Sequence, residues 1–235
     1  MRGSPLRRVI CSIPIIGALT VPPSSAAQGG GSRFAVLPFE NTGSYGQDRE
    51  VFEGLELAFP ALLASALDRH PAGDAVPRAA LLRAMRTQDL GPSQRVDAAA
   101  AAQVGRATGA HFTVTGSFAD FYGKLRVNAR LVDAKTGEIV KVVSNDDPKL
   151  QDRSQLAAII QAVAERLVSA GGLQSYPSGS ATTSIPTEAI TAFGRGLLYE
   201  GRDDRAKASE FYRSALTAFP GFPEAAAGLE RVRGG

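Results

Sequence analysis

Apolar and polar residues alternate most regularly between residues 111 and 145. Phe112, Val114, Gly116 and Phe118 interleave with Thr113, Thr115 and Ser117, and Leu125, Val127, Ala129 and Leu131 interleave with Arg126, Asn128 and Arg130. A period of two puts each set on its own face of a pleated strand. The spacing therefore predicts two antiparallel strands turning at Tyr122-Gly123-Lys124, with a third strand over 138–144 after a turn over 133–137. A short apolar strand is expected over 33–39, ended by Pro38, which cannot donate to a ladder. Helical spacing marks four further stretches: 51–69 (with Pro60 inside), 78–87, an alanine-rich run over 96–108 stopped by Gly109, and 152–170. A very short strand is expected at Ala75-Val76. The order β, α, α, α, β, β, β, α predicts an α+β fold, an antiparallel-rich sheet covered by helices.

The two ends of the chain have different patterns. Residues 1–27 carry Arg2, Arg7 and Arg8, then an apolar run over 9–21, then Ser25, Ala26 and Ala27. That is the layout of a secretory signal peptide, and the run is too short to span a bilayer as a permanent anchor. Arg8-Val9-Ile10 before Cys11 lacks the small residues of a lipoprotein cleavage site, so no lipid anchor is expected. Residues 28–32 form a flexible lead-in, the α+β domain occupies 33–172, and the small polar residues of 173–187 form a linker. In 188–235, Gly196, Tyr199, Ala208, Tyr212, Ala215 and Pro220 fall at the spacings of a helix-turn-helix repeat, followed by a terminal helix.

The run FAVLPFEN over 34–41, LLASALDR over 62–69, ATGAHFTVTGSF over 107–118 and LRVNARLVDAKTGEIV over 125–140 resembles the domain shared by CsgG-like, FlgO-type and TolB amino-terminal proteins. The resemblance covers roughly 33–170. It implies a protein-interaction domain of the cell envelope, often facing the periplasm. The carboxy-terminal segment resembles a single tetratricopeptide repeat. Such a unit leaves an apolar face for a neighbour, so it must dock on the first domain, pair with another chain, or take up a partner. Ile190, Phe193 and Leu197, on the helix where that family forms its concave groove, are candidate protein contacts; packing within the chain is the equal alternative.

Composition narrows the functional classes. The formal charge is +3, with 26 basic and 23 acidic residues, but three arginines lie in the leader, so the remainder is balanced at 23 of each. The sequence pI of 9.2 therefore gives no argument for nucleic acid. Cys11 is the only cysteine and goes with the leader, which excludes disulfide and thiolate chemistry in the mature chain. His70 and His111 have no second ligand at metal spacing and are expected to be an exposed loop histidine and a strand-edge histidine. Asp146-Asp147 and Asp203-Asp204 fit a turn and a helix cap. No catalytic residue, cofactor or metal is expected. The rows Thr113, Thr115, Ser117 and Arg126, Asn128, Arg130 are either solvated or a docking surface, and the last three are candidate protein-binding residues. The expectation is an exported, non-enzymatic adaptor or scaffold, periplasmic or outer-membrane associated, binding envelope proteins with self-association open. A subunit of an outer-membrane secretion or pore assembly and a periplasmic hydrolase are the alternatives.

Overall fold

The computed structural model describes residues 31–44, 49–91, 96–177 and 184–234. The predicted leader and the first residues of the lead-in, 28–30, lie outside the described residues. Five strands form one sheet: β1 (Ser32–Asn41), β2 (Gly73–Ala75), β3 (Phe112–Phe121), β4 (Lys124–Asp133) and β5 (Ile139–Ser144). Their order is β2-β1-β3-β4-β5. The last three strands are the expected antiparallel meander, while β1 lies parallel to both β2 and β3. The sheet is mixed and the fold is α+β.

Among the described residues seven α-helices accompany the sheet: α1 (Arg49–Asp68), α2 (Arg78–Arg86), α3 (Ala98–Thr108), α4 (Leu156–Ala170), α5 (Thr187–Gly201), α6 (Arg205–Ala218) and α7 (Pro223–Arg233). Alternation along β1 explains the layering. Phe34, Val36 and Phe39 join the core under α1 and α4, whereas Ala35 and Leu37 join a second, smaller core under α2 and α3. Helices α5 to α7 extend the first core outward, packing on the far side of α1.

Pro38 does not end β1. The strand runs on to Asn41, and its pairing with β3 shifts register between Val36 and Phe39, an irregularity that accommodates a residue with no N–H. Pro60 likewise sits inside a continuous α1. The alanines of α3 fit close helix-to-sheet contact: a Cβ added at Gly105 would stand 2.4 Å from Thr113 Oγ1. Asp97 caps this helix, accepting from the Ala100 N–H at 2.8 Å, and Gly109 closes it at φ 69°, as the sequence predicts.

Covering the second face changes the reading of one predicted row. Thr113 and Thr115, expected to face solvent or a partner, are buried on the side that α2 and α3 occupy, and only Ser117 is partly open. His70 is also inside. Its Nδ1 accepts from the Ala72 N–H at 3.1 Å, which leaves Nε2–H to donate to the Gln174 carbonyl at 2.9 Å, and Tyr176 meets the ring edge-on. Tyr176 donates to the Ala66 carbonyl at 2.8 Å, and burial pushes its pKa up to about 12. The opening residues of the expected linker are therefore laid along the first domain. Residues 178–183 of that linker lie outside the described residues.

Candidate partner-binding face

Helices α2 and α3 cover β1 and β3 but leave most of β4 and β5 bare on that side. There the candidate row of β4 stands open: Arg126 and Asn128 are exposed and Arg130 partly so. The strand is one-sided because Leu125, Val127, Ala129 and Leu131 are all buried on the opposite face. Pairing places Arg130 between Thr115 of β3 and Val142 of β5, and Asn128 between Ser117 and Ser144. Arg126 reaches Asp146 at 3.7 Å, an exposed pair worth little. The Arg130 side chain makes no hydrogen bond or ion pair among the described residues.

Strand β5 is an edge of the sheet, and it carries the residues that periodicity missed. Ile139, Val140 and Val142 are 47, 45 and 53% exposed. The pairing shifts between Leu131 and Val132, leaving Val140 as the extra residue of a bulge, so Val142 pairs with Arg130 and Ile139 with Val132, which is itself buried under α2 and α3. Three β-branched apolar side chains on an unpaired edge are unusual, because natural edges are normally blunted. The sequence signal was present in the IVKVV run, but its alternation is too poor to say which face each valine takes.

A buried asparagine fixes this edge. Asn145 Oδ1 accepts from the Val127 N–H at 2.8 Å, while Nδ2 donates to the carbonyls of Leu125 at 2.7 Å and Leu150 at 3.0 Å. At the same end of β4, buried Asp120 accepts from the Gly123 N–H at 2.7 Å and from Arg153 at 2.6 Å, holding the turn in which Tyr122 takes φ 54°.

The second candidate set lies elsewhere. Ile190, Phe193 and Leu197 are brought together, but in the interior, at 0, 2 and 1% exposure. Helix α1 fills the groove from within the chain. The two helices meet backbone to backbone: a Cβ on Gly194 would stand 2.6 Å from the Gly54 carbonyl oxygen. Ion pairs of Glu50 with Arg195 and Glu53 with Arg202, both at 2.7 Å, rim the crossing. Behind it, Phe193 packs on Tyr212 and Phe222. The Tyr212 ring lies against both Gly196 and Gly228, and its hydroxyl donates to Glu200. Arg231 clasps Glu200 through both oxygens at 2.9 Å. Burial would raise the Glu200 pKa, yet the hydrogen bonds from Arg231 and Tyr212 outweigh it and the pKa lies below its ordinary value; burial and the Glu200 carboxylate together raise that of Tyr212.

The acidic pairs have structural duties: Asp147 and Asp204 each cap a helix start. His111 Nδ1 accepts from the Arg33 N–H at 3.0 Å. Among the described residues no group of three or more His, Cys, Asp or Glu side chains could hold a metal ion, and no helix is long and apolar enough to cross a membrane.

No protein-family model and no curated protein matches the chain. Among solved structures it is similar to the C-terminal domain of LpoB from Salmonella enterica, at 19% identity and a TM-score of 0.40 over 49% of this chain and 82% of that one. It is similar to TolB from Acinetobacter baumannii at 15% identity and a TM-score of 0.34, covering 68% of this chain and 30% of that one. Lipoprotein GNA1162 from Neisseria meningitidis is similar at 16% identity and a TM-score of 0.38, over 58% and 96%. At these TM-scores the likenesses carry no argument about what the chain does.

Proposed function

We propose that this chain is an exported, non-catalytic protein-binding protein of the bacterial-type cell envelope, an adaptor or scaffold in envelope assembly, transport or maintenance. Export rests on the leader pattern, and the envelope setting on the sequence resemblance. The observation that carries protein binding is the bare β4–β5 face, where Arg126, Asn128 and Arg130 adjoin the exposed Ile139, Val140 and Val142. Burying those apolar side chains drives association at about 25 cal/mol per Å², and the unpaired Arg130 guanidinium selects a carboxylate on the partner. The partner is accordingly a protein segment that presents apolar and acidic residues together.

A photo-crosslinking residue placed at Asn128 of the full chain in a producing bacterium tests this. The expected adduct is with one defined envelope protein, reproduced with the purified pair and lost in Arg130→Glu. An adduct pattern no different from that of a crosslinker at the exposed Glu210 of α6 would overturn the reading. Amino-terminal sequencing of exported material checks the leader separately.

A further inference from the structure

The seam between the two halves of the chain carries a half-open cavity of about 360 Å³. One face of α1, from Leu57 through Ala61 and Ala64 to Asp68, forms one wall, and Ala227 of α7 and Leu81 of α2 oppose it. Phe193 and Leu197, the residues placed on sequence grounds in a binding groove, lie at its base. The volume falls in the range of small-molecule sites.

Charged groups stand at both ends, and at each end one of them is left without a hydrogen bond. At one end stand Arg231 and Arg78. Arg231 is satisfied by Glu200. The side chain of Arg78, the first residue of α2, makes no hydrogen bond or ion pair among the described residues; burial lowers its pKa, against the pull of the nearby Glu200 carboxylate. At the other end stand Asp68 and Glu224. Asp68 accepts from the Ala75 N–H at 3.2 Å. Glu224 Oε2 is buried with no hydrogen-bond partner among the described residues, even though Arg69 lines a separate small cavity next to it. A buried carboxylate oxygen without a donor is costly, so each end keeps one group with hydrogen-bonding capacity to spare: Glu224 Oε2 at one, the Arg78 guanidinium at the other.

Glu224 and Arg231 lie two turns apart on α7, about 10 Å along the helix axis. Three residues of extended peptide span about the same length. The geometry points to a binding site for a short apolar peptide with free ends, its ammonium on Glu224, its carboxylate on Arg78 at the Arg231 end of that span, and its small side chains against the α1 wall. This site is separate from the β4–β5 face and stands or falls independently of it.

Isothermal titration of the purified full chain with Ala-Val-Ala tests the assignment, beside the same peptide N-acetylated, C-amidated, or both. Saturable binding of the free peptide is expected, weakened at least fivefold by either cap. In Glu224→Gln the N-acetyl cap should no longer matter, and in Arg78→Gln the amide should no longer matter. Because the wild-type chain with the four peptide forms already decides the question, a variant that fails to fold leaves it answerable. No saturable binding, or equal binding of free and doubly capped peptide, would overturn the proposal. A cap effect that persists in the corresponding variant would overturn the residue assignment.

Discussion

Helix α5 and strand β4 each carry a row of three residues that the sequence marks as a contact surface, and the chain treats them in opposite ways. Ile190, Phe193 and Leu197 are sealed against α1, whereas Arg126, Asn128 and Arg130 remain at the surface. Periodicity tells which side chains share a face. It does not tell what covers that face. At α5 the cover is possible because Gly54 and Gly194 let two backbones touch, and the apolar stripe is then withdrawn from water. At β4 no helix reaches the row, and the neighbouring edge strand leaves apolar residues exposed.

Forcing α5 off α1 is the most severe way to break this contrast. In Gly194→Val the new Cβ would meet the Gly54 carbonyl oxygen at 2.6 Å and its carbon at 2.8 Å. Neither is the end of a flexible side chain, so the helices must separate and expose the core shared with Phe193. A loss of at least about 3 kcal/mol is expected, lowering Tm by roughly 6–12 °C. Hydrogen exchange should rise in α5 to α7 ahead of β3 and β4. An unchanged Tm would mean that the crossing is not tight.

The open face has its own internal support, and removing that support is next in size. Asn145→Ala takes three hydrogen bonds from the Val127 N–H and the carbonyls of Leu125 and Leu150. Stranding buried backbone groups costs about 1–3 kcal/mol, so a loss near 2 kcal/mol is expected by chemical denaturation. Asn145→Asp should cost as much or more, since a carboxylate cannot donate to the two carbonyls.

These two sites also show what was legible. The meander, the stop at Gly109 and the long helices follow from spacing and turn residues. Three things did not follow. The parallel entry of β1 between β2 and β3 depends on long-range pairing, to which a local pattern is blind. The burial of Thr113 and Thr115 depends on Gly105 bringing α3 close, and a glycine in a helix reads only as a weak former. His70 looked like a loop residue because its partners, Gln174 and Tyr176, lie about a hundred positions away. In the candidate site the polar row of β4 was visible, but the apolar edge was not, because the bulge at Val140 breaks its alternation.

Acid separates the halves more gently. Glu200 has a folded pKa below its ordinary value of 4.5, so its contribution is fully present above the unfolded pKa and is lost as pH falls through the folded one. Wild type should therefore exceed Glu200→Gln in unfolding free energy at neutral pH, by on the order of 1 kcal/mol after allowance for solvent screening. The gap should close as pH falls from the ordinary glutamate value of 4.5 through the lower folded pKa. Tyr212 gives the opposite limb: its raised pKa makes its contribution present below the ordinary phenol value and lost as pH rises above it. A gap between wild type and Glu200→Gln that persisted in acid would show that the carboxylate's charge is not what holds α5 to α7.

The smallest effect on folding falls on the open row, and there the contrast is sharpest. Arg130→Glu and Val142→Asp alter neighbouring exposed side chains whose backbones stay paired, so each should shift stability by no more than about 0.5 kcal/mol. The same changes reverse the charge and place an acid in the apolar edge, so partner capture by the crosslinker at Asn128 should fall at least tenfold. Phe193→Asp should behave in the reverse manner, unfolding the seam through a buried charge while any fraction that folds keeps its β4–β5 face. If Arg130→Glu destabilised the fold as much as Gly194→Val, or left partner capture intact, the two rows would not differ as their burial says they do, and β4 would be a structural strand rather than a contact surface.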